Sequence, residues 1–224
     1  MPTPPPPTNW DFALDAVAPG DDLVGVGADL DVSTLYAAYT QGVFPMGIGE
    51  HGAPPVGWWS PDPRGVLRLG DLRVHRSLRK SMRHLEVRVD TAFDAVVAAC
   101  AAPDRDGRWI TPDVAQAYAA LHAAGWAHSV ETWQGDRLVG GLYGVAIGGL
   151  FAGESMFHTV RDASKAALVA LRDLLAADGD PRRLIDVQWR TDHLATLGVS
   201  EMPREDYLLG LPEVLSAPLP AAWA

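Results

Sequence analysis

Two polar side chains near residue 187 could position a substrate or accept a proton. The segment Leu184–Gln188 reads LIDVQ, and its alternation is typical of a strand. Side chains two apart on a strand share a face, with Cα atoms roughly 6.6 Å apart, so Asp186 and Gln188 are predicted to lie side by side. If Asp186 accepts from the amide NH₂ of Gln188, the amide oxygen stays open to a substrate. A polar pair at a sheet edge with a purely structural role fits the same spacing.

Glu154 is the second candidate for chemistry, because it is the one charged residue in the stretch VGGLYGVAIGGLFAGESMF, residues 139–157. The pair Gly148-Gly149 suits a tight turn, which predicts a hairpin with strands at residues 137–147 and 149–157. A charged side chain among apolar neighbours is costly unless it has a polar partner or a functional role. Glycines in strands mark close approach by a backbone or ligand, and six occur here, at positions 140, 141, 144, 148, 149 and 153. The hairpin is therefore predicted to form the wall of a substrate site.

A basic stripe stands out against the net charge of −10. Residues 75–84 are predicted to form a helix, and four basic side chains recur on one side of it at helical spacing. These are Arg76, Arg79, Lys80 and Arg83. Such a stripe can contact a phosphate backbone, although a solvated helix face has the same pattern.

The elements that position these residues follow from periodicity and capping signals. Residues 66–69, 85–89 and 128–133 are predicted as strands, and residues 92–101, 163–177, 191–197 and 206–215 as helices. Thr111-Pro112 begins a further helix, and Asp90 or Thr91 is the predicted cap of the helix at 92–101. From Trp109 onward the order is helix, three strands, helix, strand, helix, which indicates a mixed sheet with helices packed against it.

The first 65 residues predict fewer regular elements. Ser33 is the predicted N-cap of a helix over residues 34–41, which Gly42 ends. Residues 42–65 are dense in glycine, proline and aromatic residues, and this composition predicts an ordered loop.

Composition narrows the functional classes. A chain of 224 residues with one cysteine, Cys100, excludes an internal disulfide framework and fits a reducing compartment. No run is long and apolar enough to span a bilayer, and the proline-rich start does not resemble a signal peptide, so a cytoplasmic location is expected. The sequence has no zinc-type Cys/His spacing and no GxxxxGK[ST] phosphate loop, so neither a metal nor a nucleotide cofactor is expected.

Several segments together resemble one family, that of the leucyl/phenylalanyl-tRNA–protein transferases. The segments are GVFP at 42–45, WWSPDPR at 58–64, WIT at 109–111, AHS at 127–129, VGGLYG at 139–144, FAGESMF at 151–157, ASK at 163–165, and LIDVQ at 184–188 followed by Asp192-His193. Each is weak alone, but WWSPDPR, GESMF and LIDxQ in one chain are specific. The resemblance runs in order from about Asp22 to Leu215.

The resemblance implies an α/β (α+β) fold, with a small N-terminal domain at residues 1–62 and a GNAT-like acyltransferase domain with a mixed sheet at residues 63–224. It implies an aminoacyltransferase that moves Leu or Phe from aminoacyl-tRNA to the α-amine of proteins that begin with Arg or Lys. Met is a further candidate donor. Such transfer would tag the acceptor for N-end-rule degradation. The implied enzyme needs no cofactor and no membrane, and a monomer is expected.

The resemblance also assigns roles to residues of this sequence. Asp186 and Gln188 match the catalytic relay, and Glu154 matches a carboxylate at the aminoacyl site. The apolar pocket for the donor side chain falls on Leu142, Phe151, Met156, Leu168, Leu171 and Ile185. Trp109 matches a tryptophan near the terminal adenosine, and Met46 stands where a second such tryptophan is expected. Arg76, Arg79, Lys80 and Arg83 would contact tRNA phosphates.

Two other functions remain open at this point. An acetyl-CoA-dependent acyltransferase of the same fold class would carry a glycine-rich turn at a helix N-terminus, and residues 158–164 (HTVRDAS) contain no glycine. A tRNA-binding module without catalysis is the second, and Asp186, Gln188 and Glu154 argue against it. If the relay operates, Asp186→Ala is expected to lower turnover without unfolding the protein.

Overall fold

Two β-sheets organise the chain. The computed structural model describes residues 2–105 and 107–224. The smaller sheet is antiparallel, with strand order β1–β3–β2. Its strands are β1 (Leu23–Val26), β2 (Phe44–Gly47) and β3 (Val56–Trp59), and helix α1 (Val32–Thr40) connects β1 to β2.

The larger sheet has seven strands in the order β10–β4–β9–β8–β7–β6–β5. They are β4 (Arg64–Arg68), β5 (Glu86–Val89), β6 (Ala127–Gln134), β7 (Arg137–Ile147), β8 (Leu150–His158), β9 (Leu184–Gln188) and β10 (Ser200–Met202). The pair β8–β9 is parallel, and the other five pairs that join these strands are antiparallel. A parallel pair needs a crossover, which helix α5 (Ala163–Ala176) supplies.

The remaining helices are α2 (Arg76–Met82), α3 (Phe93–Cys100), α4 (Pro112–Ala123), α6 (Asp192–Thr196) and α7 (Arg204–Leu215). Helix α5 packs against β6, β7 and β8, α3 packs against the same three strands, and α4 packs against β6. Within residues 2–105 and 107–224, no helix combines the length and apolar character needed to cross a membrane.

The predicted mixed α/β class and the hairpin are confirmed. Strands β7 and β8 meet at Gly148, whose φ is +59°. A Cβ at Gly148 would lie 2.2 Å from the carbonyl oxygen of Leu215, so the glycine allows the end of α7 to approach the turn. The GNAT-like topology and the domain division at residues 62/63 stay predictions.

The predicted loop over residues 42–65 is wrong, because this stretch contains β2, β3 and the start of β4. Trp59 pairs with Leu23 on one side and with Phe44 on the other. The many prolines and glycines of this stretch are typical of loops, so the sequence did not predict the strands. Pro45 lies on β2 at the edge of the small sheet, where a missing N–H is tolerated.

Two predicted helix caps are also wrong. Helix α1 begins two residues earlier than expected, with Asp31 rather than Ser33 at the N-cap position. Helix α3 is capped neither by Asp90 nor by Thr91. The N–H groups of Thr91 and Ala92, the two residues before the helix, donate instead to Glu131 of β6, each at 3.1 Å. Sequence patterns detect local caps, and Glu131 is 40 residues away from Thr91 along the chain.

Glu131 is buried and accepts from main-chain and hydroxyl donors, including the Ser129 hydroxyl at 2.7 Å. Glu131→Gln would place an NH₂ group against these donors, so we expect the free energy of unfolding to fall by about 2–4 kcal/mol. Urea denaturation measures this loss. Glu86→Gln is the matched control, since the Glu86–Arg88 pair is exposed to solvent and should contribute little to stability. Equal losses for the two variants would contradict a capping role for Glu131.

Candidate active site

A cavity of about 390 Å³ lies between α5 and strands β7, β8 and β9. All six predicted pocket residues line it, namely Leu142, Phe151, Met156, Leu168, Leu171 and Ile185. Its polar lining includes Arg105, Glu154, Ser155, Gln188, Thr191 and His193. A larger cavity of about 450 Å³, beside Leu184, Met202 and Tyr207, contains none of the predicted site residues. The structure thus gathers an apolar pocket, one carboxylate and one amide at a single place, which we call the apolar cavity.

Glu154 is connected to a chain of side-chain hydrogen bonds. The Tyr118 hydroxyl donates to Glu154 Oε2 at 2.8 Å, and the Tyr39 hydroxyl is hydrogen-bonded to that of Tyr118. Gln188 Nε2 lies 3.5 Å from Glu154 Oε1. Tyr39 and Tyr118 are fully buried. Sequence reasoning did not identify either of them as a site residue, because Tyr118 lies on the apolar side of α4. A buried tyrosine hydroxyl needs a hydrogen-bond partner, and this requirement was the one signal that could have indicated a role for these two residues.

Burial raises the pKa of Glu154 to about 7, even though hydrogen bonds from Tyr39 and Tyr118 lower it. The charge of Asp186 raises this pKa further, and that of Arg64 lowers it. Burial, followed by the charge of Glu154, raises the pKa values of Tyr39 and Tyr118 well above the ordinary range. Near neutral pH Glu154 therefore exists in both protonation states, while the two tyrosines remain neutral.

Asp186 faces away from the cavity and is fully occupied by donors. Its Oδ1 accepts from Arg64 Nε and from the backbone N–H of Gln188, both at 2.9 Å. Its Oδ2 accepts from Arg64 Nη2 at 2.5 Å and from the Tyr207 hydroxyl at 3.0 Å. The expected hydrogen bond from the Gln188 side-chain amide to Asp186 is therefore wrong, because Asp186 contacts the Gln188 main chain instead.

The backbone of Gln188 explains the difference. Its φ is +60°, in the left-handed region that residues other than glycine seldom adopt. Strand alternation ends there, so the side chain turns towards Glu154 rather than staying beside Asp186. A carboxylate that accepts from the N–H two residues later stabilises such a turn. Asp186 thus contacts Gln188 through the main chain, and the catalytic relay of the two residues stays a prediction.

Arg64 is 1 % exposed and joins Asp186 to the small sheet. Its Nη1 donates to the Gly42 carbonyl at 2.9 Å. Its guanidinium lies over the ring of Phe44, 5.2 Å from the centroid, and over that of Tyr207, at 4.6 Å. Burial is the largest single influence and lowers the pKa of Arg64, but the charges of Asp186, Tyr207 and Glu154 and the hydrogen bonds to Asp186 together raise it more, so the guanidinium stays charged. Arg64 ends the WWSPDPR motif, and sequence reasoning assigned it no role.

In the part of the chain that the structure describes, neither Trp109 nor Met46 lines the apolar cavity. The ring of Trp109 meets that of Tyr118 edge-on, with centroids 6.3 Å apart, so it adjoins the hydrogen-bond chain that ends at Glu154. Met46 is half-buried on β2, and its carbonyl accepts from Trp59 Nε1 at 2.9 Å. Their predicted contact with adenosine stays a prediction.

The predicted basic helix is present as α2, shorter than expected because His75 is its N-cap and Arg83 its C-cap, and the four predicted basic side chains are exposed. Leu78 is buried on its opposite side. The Ser81 hydroxyl donates to Asp162 Oδ2 at 2.9 Å, and Lys165 Nζ donates to the other oxygen of Asp162 at 3.3 Å. Asp162 therefore ties the basic helix to the start of α5, which forms one side of the cavity.

One group of side chains has the composition of a metal site. Ligand atoms of Asp90, His122 and His128 lie within 4.8 Å of one another. His128 Nδ1 is 2.8 Å from Asp90 Oδ2, and its Nε2 is 3.2 Å from the Gly125 carbonyl. His122 Nδ1 donates to the Ala127 carbonyl at 2.8 Å. These contacts give the carboxylate and three ring nitrogens protein partners, so the group has a structural explanation.

Two models of one protein family match this chain. Residues 66–212 match the model of the leucyl/phenylalanyl-tRNA protein transferase family, and residues 28–62 match the model of its N-terminal domain. The chain belongs to this family. A protein of Shewanella denitrificans named leucyl/phenylalanyl-tRNA–protein transferase is 46 % identical over 219 residues, covering 94 % of this chain and 90 % of that protein.

Two further relatives carry the same name. One from Bordetella petrii is 49 % identical over 214 residues, covering 89 % of this chain and 82 % of the relative. One from Nitratidesulfovibrio vulgaris strain DP4 is 48 % identical over 204 residues, covering 88 % of this chain and 85 % of the relative. The predicted family and its enzyme class, the aminoacyltransferases, are confirmed.

The buried ion pair changes the expectation for Asp186→Ala. This substitution leaves the Arg64 guanidinium buried without its carboxylate, so we expect the free energy of unfolding to fall by about 3–5 kcal/mol. Asp186→Leu combined with Arg64→Met should recover much of that loss, because it removes both charges. Thermal and urea denaturation measure both effects. If Asp186→Ala is as stable as the exposed control Asp192→Ala, the Arg64–Asp186 ion pair does not stabilise the folded state as expected.

The raised pKa of Glu154 predicts a pH-dependent stability. The folded state holds this proton more tightly than the unfolded chain, where the pKa is 4.5. The stabilisation is therefore complete below pH 4.5 and is lost as pH rises through about 7. Because Glu154→Gln cannot ionise, the stability of the wild type relative to this variant should fall by about 2 kcal/mol between pH 4.5 and 8, after discounting for partial exposure. Urea denaturation across this range measures the difference, with exposed Glu50→Gln as control, and parallel curves would refute the assignment.

Proposed function

We propose that this protein transfers Leu or Phe, with Met as a further donor, from aminoacyl-tRNA to the α-amine of proteins that begin with Arg or Lys. The transfer would mark the acceptor for N-end-rule degradation. The observation that carries the proposal is the apolar cavity, where six apolar side chains meet Glu154 and Gln188. An apolar side chain of the donor would fill the pocket, while the polar lining would take the reacting groups.

The reaction requires mainly that the amine and the aminoacyl ester are held in the right position. The amine nitrogen attacks the ester carbonyl carbon, the ester C–O bond breaks, and the ribose oxygen leaves. The amine loses one proton and the ribose oxygen gains one, so the reaction balances without a co-reactant. The ester is already activated, and an α-amine with a pKa of about 7.7–8.0 is partly neutral at neutral pH. Holding both reactants in one cavity can then supply several kcal/mol of the barrier reduction.

We assign roles from the hydrogen bonds. Gln188 Nε2 is directed at Glu154, so its Oε1 is free to accept an N–H of the attacking amine. An amide is too weak a base to remove a proton by itself, so Gln188 orients the amine. Asp186 positions Gln188 through its main chain. Glu154 offers a carboxylate to the amino group of the donor residue.

The basic helix α2 supports tRNA as the donor carrier. Its exposed cations lie beside α5, and a groove lined by His158, Arg161, Lys165 and His193 starts there. His193 also lines the apolar cavity, so the groove and the cavity share this residue. Cations along such a path suit a phosphate backbone that ends at the reacting ester. A cytoplasmic location, a monomeric state and domains at residues 1–62 and 63–224 stay predictions.

The test is transfer of radiolabelled Leu from Leu-tRNA to a peptide that begins with Arg, with an otherwise identical peptide beginning with Ala as control. Label on the first peptide alone supports both the reaction and the acceptor rule. Equal labelling of both peptides would refute the acceptor rule. Absence of label with tRNA bound would favour a binding module, and absence of both would favour an acetyl-CoA-dependent enzyme.

Charge reversal at α2 tests the tRNA surface. Arg76→Glu with Lys80→Glu should weaken tRNA binding at least tenfold in low salt, and the slope of log K against log salt should fall by about 1–2. The control is Arg68→Glu with Arg137→Glu, which changes net charge equally at exposed positions on β4 and β7. Filter binding at several salt concentrations measures both slopes. If the two double variants behave alike, only net charge matters and α2 is a solvated face.

A further inference from the structure

Three aromatic rings connect the C-terminal segment, residues 216–224, to the apolar cavity. The indole of Trp223 is nearly parallel to the ring of Phe151, with centroids 5.5 Å apart, and to that of His128, at 4.5 Å. All three residues are buried. Phe151 lines the cavity, whereas Trp223 contacts Phe151 from outside the cavity lining. One wall of the cavity therefore depends on a residue far from the catalytic groups in sequence.

Trp223 is held by fixed neighbours. Both ring nitrogens of His128 are engaged, Nδ1 with Asp90 and Nε2 with the Gly125 carbonyl. Before Trp223, Arg183 Nη1 donates to the carbonyls of Pro218, at 2.6 Å, and Gly148, at 3.0 Å. These bonds tie the C-terminal segment to the hairpin turn between β7 and β8. The indole is thus buried and packed against the rings of both His128 and Phe151.

Phe151 has close neighbours on its sheet side as well. A Cβ at Gly144 would lie 2.6 Å from Phe151 Cε1 and 2.8 Å from its Cζ, so the ring occupies the space that this glycine leaves. The backbone of Gly144 and the indole of Trp223 together restrict where the ring can go. If the indole were removed, Phe151 could move away from the cavity, and the cavity would become deeper.

We propose that Trp223 determines the size of the donor side chain that the cavity accepts, because it fixes the position of Phe151. The inference rests on the proposed function, since it concerns the same cavity. An apolar pocket discriminates by volume, and one methylene group changes kcat/KM by about 10-fold or more. Phe is larger than Leu, so a deeper cavity should favour Phe over Leu as donor.

The experiment compares kcat/KM for Leu-tRNA and Phe-tRNA, with an Arg-initiated peptide as acceptor. Trp223→Ala should shift the Phe-to-Leu ratio towards Phe by a factor of about 10. Trp223→Phe keeps an aromatic ring against Phe151 and should stay within about threefold of the wild-type ratio. If Trp223→Ala does not fold, Trp223→Leu fills part of the space and should move the ratio in the same direction.

Leu219→Ala is the matched control, because Leu219 is a buried residue of the same segment. It should lower Tm and leave the donor ratio unchanged. Equal losses with both donors in the Trp223 variants, together with a lower Tm, would show a merely structural role and overturn the inference. A wild-type protein that transfers neither residue would instead refute the proposed function, and the inference with it.

Discussion

The buried ion pair between Arg64 and Asp186 is the interaction on which the rest of the site depends. Both residues are almost completely buried, and two hydrogen bonds join them. A charge left alone there would be expensive, so each residue requires the other. Arg64 also contacts the Gly42 carbonyl and the Phe44 ring, while Asp186 holds the Tyr207 hydroxyl. The pair therefore joins the small sheet, the end of β9 and α7 at a single point.

The geometry of Gln188 follows from that pair. Arg64 fixes the Asp186 carboxylate, and its Oδ1 then holds the Gln188 N–H in a turn with φ of +60°. Backbone strain of this kind persists where surrounding contacts over-determine it. Gln188 consequently leaves the strand direction and places its amide beside Glu154. The position of Gln188 in the cavity is thus set by Arg64 and Asp186, neither of which lines the cavity.

Sequence reasoning predicted what is local and missed what is distant. The strand at Leu184–Gln188, the hairpin turn and the apolar residues of the cavity follow from periodicity, turn chemistry and resemblance, and the structure contains them. Arg64 pairs with a residue 122 positions later, and Tyr39 with one 79 positions later. No local pattern reports such contacts. A positive φ at a non-glycine residue is equally invisible, which is why the expected contact between the Gln188 amide and Asp186 is wrong.

The two carboxylates near the cavity have different tasks because their surroundings differ. Both oxygens of Asp186 accept from donors of the protein, so Asp186 has no free position for a substrate proton. Glu154 has neutral partners, and burial raises its pKa to about 7, where a small change in its surroundings changes its charge. Environments that differ in this way separate a structural carboxylate from a reactive one. Asp186 fixes the main chain of Gln188, and Glu154 is the carboxylate whose charge can change near neutral pH.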